Sequence, residues 1–203
     1  MLCKLQYKHP STVSRYVALV AVLTGLYVAY GYVSSVEFRT ATRSLDLFFL
    51  LPAFFAILVS LTGKKWSATL LATINGLIFL GTPAPFPLHI AISLIVNGLV
   101  FDLYLQRASK SLFDPARKHL VLAGVLGNLA MAPSGLLVLQ LVGIPSSLLV
   151  WALALVGDTI VGGAGAFFGA TVVERVRGIQ TRRVLEATAS MKVRAQAQPE
   201  HQH

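Results

Sequence analysis

Residues 147 to 173 read SLLVWALALVGDTIVGGAGAFFGATVV, an apolar run broken by a single acid, Asp158, and followed by a patch of glycine and alanine from Gly162 to Ala170. The length suits a membrane-crossing helix, and the composition leaves no room for the polar face of a soluble one. At 1.5 Å per residue Asp158 falls roughly 16 Å along it, near the midplane of a hydrocarbon core about 30 Å thick. An aspartate there costs about 2.5 to 3.5 kcal/mol on insertion scales, so it should face protein or a watery cavity and have a partner to meet. The remaining helices must supply that cavity.

The rest of the chain has the same character. Of 203 residues, 55% are hydrophobic and 12% charged, and the mean hydropathy is +0.70. Those values read as an integral membrane protein. Six apolar segments appear, at Tyr16–Val36, Leu47–Thr62, Trp66–Gly81, Leu88–Leu105, His119–Gly143 and Ser147–Val173. The second and third are short for spanning helices. The expected fold is therefore all-α: a polytopic domain of six transmembrane helices over residues 1–180, then a basic cytoplasmic tail over 181–203. Val172, Val176 and Ile179 keep helical spacing past the apolar run, so the last helix should continue into that tail and fray near Ala195.

Charge sets the orientation. With the N-terminus inside, 15 of the 17 Lys and Arg lie on one side and only Arg39 and Arg43 on the other, which gives N-in, C-in across the plasma membrane. The net charge of +9 is thus explained by a cytoplasmic face, and because the cations cluster in short segments between apolar runs, nucleic-acid binding is not expected. Cys3 is the sole cysteine, which excludes an intramolecular disulfide. His201 and His203 stand alone in a polar tail, so neither a metal nor a cofactor is expected.

Depth along each segment singles out four polar residues. Asn75, Asn97 and Asn128 each lie about 13 to 14 Å into their segments, level with Asp158. Interhelical hydrogen bonds would account for Asn75 and Asn97 as well as a site would. For Asn128 a cavity is favoured, because Pro133, Ser134 and Gly135 are expected to interrupt the fifth helix just beyond it, and broken helices line sites. His89, Gln140 and Trp151 lie further towards the outside and supply an aromatic face with donors and acceptors for an organic solute, although Trp151 also suits an interfacial belt. Glu37 and Arg39 belong to a charged outer loop, Glu37–Asp46, able to close over such a site. Asp102, a turn from the cytoplasmic end with Arg107 behind it, suits a helix-end or ion-pair role.

Ala21, Gly25 and Ala29 recur every four residues and make a smooth stripe along the first helix. Gly165 and Gly169, with Gly162, Ala166 and Ala170 beside them, do the same for the last. Such stripes serve packing within a bundle or a partner surface. No phosphate-binding loop, zinc-protease helix, nucleophile elbow or pair of intramembrane carboxylates occurs, so no catalytic residue is expected.

Taken together, the smooth first helix, the charged first loop, the polar groups of the last three helices and the glycine-rich final helix ending in Glu174-Arg175-Val176-Arg177 resemble the substrate-capture S components of energy-coupling factor (ECF) vitamin transporters. The stretch Asn97-Gly98-Leu99-Val100-Phe101-Asp102, followed by Arg107, is similar to the branch for thiamine or its hydroxymethylpyrimidine precursor, with Asn-Gly where Gln-Gly would be expected and Asp102 where a Glu would be. The resemblance implies uptake of a small water-soluble vitamin, energised by a coupling transmembrane subunit and ATPase subunits. It further implies that Ala21, Gly25 and Ala29 dock the coupling subunit, and that Asn128, Trp151 and Asp158 lie where substrate binds. A proton-coupled secondary transporter, or an intramembrane enzyme or assembly factor, are the alternatives.

Overall fold

The computed structural model describes residues 12–37, 45–82, 87–145 and 147–196. They form six helices: α1 (Thr12–Glu37), α2 (Leu45–Thr62), α3 (Ser67–Leu80), α4 (Pro87–Ala108), α5 (Arg117–Leu141) and α6 (Leu148–Gln196). The fold is all-α, and the boundaries follow the six apolar segments closely. Four helices, α1, α4, α5 and α6, are long and apolar enough to cross a membrane. The 14 residues of α3 reach only about 21 Å. The last helix continues unbroken to Gln196, so most of the basic tail is helical.

Neighbour relations close five helices into a ring in the order α2, α6, α5, α4, α3, with α2 also touching α5. Among the described residues α1 packs less extensively, against α2 and α3. Close approach in the ring depends on missing side chains. A Cβ on Gly165 or Gly169 would overlap the backbone of α2 at Phe49 and Ala53, and one on Gly124 of α5 would lie 2.5 Å from the Gly162 carbonyl of α6. In lipid, where helix association relies on such contact, these glycines bring backbones together. The stripe on α6 is thus internal packing.

The stripe on α1 differs. Ala21, Gly25 and Ala29 are all exposed, and among the described residues a Cβ on Gly25 would meet nothing within 4 Å. Tyr27, on another face of the same helix, is buried against Phe54 and Phe79 in edge-on ring contacts. That aromatic cluster anchors α1 and leaves the smooth face outward.

Pro133 corrects one expectation. Helix α5 is continuous from Arg117 to Leu141 with Pro133 inside it, so Asn128 is not followed by a break. Ser134 donates from its hydroxyl to the Met131 carbonyl at 2.7 Å. That bond does not replace the one Pro133 denies the Leu129 carbonyl, four residues back; the packing of α5 against α4 and α6 keeps the helix continuous across the proline.

One end of the bundle is rich in charge. Gly63, at φ +63°, ends α2 in the left-handed region that glycine adopts readily, and Phe113 packs over it. Arg117 makes a forked ion pair with Glu174, tying α5 to α6. Arg177 pairs with Asp114 and donates to the carbonyls of Ser60, at 2.7 Å, and Phe113. Near the same end, Asp102 of α4 is buried and accepts hydrogen bonds from both the backbone N–H and the hydroxyl of Thr69, each at 2.7 Å. Those bonds place a carboxylate at the start of α3, where helix N–H groups lack partners and negative charge is favoured. Asp102 therefore fills a helix-end role for a neighbouring helix.

Candidate functional site

The polar residues at mid-depth divide into two groups. Asn97 donates from Nδ2 to Oδ1 of Asn128 at 2.7 Å and lies 3.3 Å from the Met131 sulfur. Asn128 in turn donates to the backbone carbonyls of Asp158, at 2.9 Å, and Phe48, at 3.2 Å. One amide pair thereby links α4, α5, α6 and α2. Both side chains are fully buried, and Gly127 leaves the room that Asn97 occupies. Asn75 is also fully buried, yet neither of its amide atoms has a hydrogen-bond partner among the described residues.

Asp158 is placed differently. Its backbone carbonyl is used by Asn128, whereas its carboxylate has no hydrogen-bond or ion-pair partner among the described residues. The residue is only 5% exposed. It lines a cavity of about 150 Å³ together with Phe48, His89, Ser93, Met131 and Ala154. Gly135 borders the same space, and a Cβ there would lie 2.5 Å from the Ser93 hydroxyl. The hydroxyl of Ser93 donates to the His89 carbonyl at 2.6 Å, so it points along its own helix and keeps its lone pairs for another donor.

Four helices build this space. His89 and Ser93 stand one turn apart on α4, while Met131 and Gly135 are likewise paired on α5, the spacing that puts two residues on one face. Ala154 and Asp158 repeat it on α6. The asparagine pair lies one turn nearer the charged end and braces the helices that form the cavity walls. The lining comprises one carboxylate, one imidazole, one hydroxyl, one aromatic ring and otherwise apolar surface. Such a site can hold a small solute that carries a cation or donor on one side and a flat or apolar body on the other.

Of the residues singled out in the sequence, the structure brings Asp158 and His89 to one cavity. Asn97 and Asn128 support it from behind. Trp151 is half-buried one turn beyond Ala154, on the same side of α6 but outside the lining, and Gln140 is exposed and apart from it. Arg39 lies outside the described residues, as does the side chain of Glu37. Phe48, Ser93 and Met131 were not anticipated, and Gly135 was expected near the site only as part of a break that α5 does not have. A search for residues one helical turn from His89 and Asp158 would have found Ser93 alone, since the others are apolar and declare themselves only when helices meet.

No family model matches this chain, and neither a curated protein nor a solved structure matches it.

Proposed function

We propose that this protein is a six-span plasma-membrane subunit, N-in and C-in, that captures a small water-soluble vitamin or precursor carrying a cationic or donor group and passes it to an ATP-driven partner complex. The observation that carries the reading is the Asp158 carboxylate, buried beside a cavity at mid-helix with no partner among the described residues. Leaving a charge so deep costs several kcal/mol, and a bound cation would offset that cost. About 150 Å³ is below the roughly 300 to 1,000 Å³ of drug-sized pockets, which favours a small solute such as a single-ring precursor. His89 and Ser93 orient it, and Phe48 offers a face to stack on. The chain itself catalyses no reaction in this scheme.

The exposed Ala21, Gly25 and Ala29 face of α1 supports a coupling partner, because in a protein whose other glycine stripe is wholly used in packing, this one is left open. The ECF S-component resemblance points the same way. Calorimetric titration of purified protein with a panel of small cationic heterocycles tests the reading. Asp158→Asn keeps the shape and removes the charge, and affinity is expected to fall by about 2 to 5 kcal/mol. Unchanged affinity removes Asp158 from the site. A variant that binds normally but loses pH-dependent accumulation in intact cells indicates a proton-coupled carrier instead.

A further inference from the structure

A second site lies at the charged end of the bundle, separate from the Asp158 cavity. A groove of about 710 Å³ runs between the start of α1, the end of α2 and α6, and it collects three cations, Arg15, Lys64 and Arg177. Arg177 is satisfied by Asp114 and two carbonyls. Lys64 only sits over the Tyr16 ring at 4.0 Å, and neither it nor Arg15 has an acid partner among the described residues. Ser60 borders the same groove, is 1% exposed, and its hydroxyl has no hydrogen-bond partner among the described residues. A buried hydroxyl without a partner costs free energy that an incoming acceptor would recover. Among the described residues the groove thus brings together two cations without acid partners and one buried hydroxyl without a hydrogen bond.

Its walls identify the occupant's other half. Leu19, Leu61 and Val176 line it with apolar surface, and the neighbouring face of α1 exposes Val13 and Val17. Cations at one level with an apolar wall running into the hydrocarbon region match an anionic head joined to an acyl chain. We infer that this groove binds a phosphate group, and that the phosphate is the headgroup of an acidic phospholipid. Bound there, the lipid would bridge α1 to α2 and α6, whereas among the described residues α1 packs mainly against α2 and α3, and sparsely.

The full-length protein, purified in mild detergent, is tested by native mass spectrometry with added phosphatidylglycerol, phosphatidylcholine or inorganic phosphate. Wild type should retain phosphatidylglycerol over phosphatidylcholine, and Arg15→Gln with Lys64→Gln should weaken that retention about ten- to thirty-fold. Ser60→Ala, which leaves every surface charge in place, should lower it by a smaller factor, and melting in phosphatidylcholine alone reports whether each variant is folded. Inorganic phosphate binding that depends on Arg15 and Lys64, without selectivity between the lipids, assigns the groove to a soluble phosphate compound and overturns the lipid source. Equal retention of both lipids, or retention of phosphatidylglycerol unaffected in folded variants, overturns the proposal.

Discussion

Asn97 and Asn128 share a hydrogen bond of 2.7 Å across α4 and α5, and the second asparagine passes the connection on to the backbones of α6 and α2. The consequence is testable by comparison with the third asparagine. Asn128→Ala removes the bonds to Asn97, Phe48 and Asp158, each worth about 0.6 kcal/mol in a membrane, so a loss of about 2 kcal/mol is expected in a denaturing-detergent titration. Asn75→Leu should change stability by less than about 1 kcal/mol or raise it, because both amide atoms it removes are buried without partners among the described residues. A large loss for Asn75→Leu would mean that its amide is engaged.

The two small-residue stripes should respond in opposite ways. Gly169→Val drives a side chain into the α2 backbone at Ala53, and a loss of at least about 2 kcal/mol is expected by the same titration. Gly25→Trp enters open space and should leave stability within about 0.5 kcal/mol. If α1 docks a coupling subunit, Gly25→Trp should still bind solute in detergent and yet lose co-purification with the ATPase complex and lose uptake.

Asp102 should matter through α3. Asp102→Ala strands the Thr69 N–H and hydroxyl, at an expected cost of about 3 kcal/mol, while Asp102→Asn keeps an acceptor and should retain about half of that. Amide hydrogen exchange localises the effect: faster exchange confined to the first turn of α3 is expected for the alanine variant. Equal protection in both variants would show that the contact does not hold that turn.

Orientation can be read with a membrane-impermeant thiol reagent on a Cys3→Ser background. Cysteines at Lys65 and Ala108 should label only from the cytoplasm and one at Ala84 only from outside, following the distribution of Lys and Arg. Labelling of Ala84 from the cytoplasmic side in intact cells would eliminate the six-span, N-in arrangement.

The helices were legible in the sequence because lipid forces each span to satisfy its own backbone, so apolar length alone marks them. Asp158 was legible for the complementary reason: a lone acid in such a run demands an explanation. What the sequence could not carry was which face each residue presents. Asn128 and Asp158 lie at one depth, but the amide turns into the α4 and α6 contacts and the carboxylate into the cavity, a choice made by where Gly124, Gly127 and Gly162 let helices close. Pro133 misled because a proline read alone implies a break, whereas packing against α4 and α6 keeps α5 continuous. Phe48 and Met131 carry no polar signal and emerge as lining only from the packing of α2 and α5.

The ring order also bears on how the protein is made. Helix α2 finds its most extensive neighbour in α6, so a helix synthesised early must wait for the last one before its backbone at Phe49 and Ala53 is covered by Gly165 and Gly169. Translation proceeds at about 5 to 20 residues per second, which leaves the nascent bundle open on one side for several seconds. During that interval α3, α4 and α5 can pair in sequence as they emerge, whereas α2 cannot complete its surroundings. Truncation anywhere before Gly169 should therefore yield an open bundle with α2 unsealed, and it is this species that membrane quality control would meet.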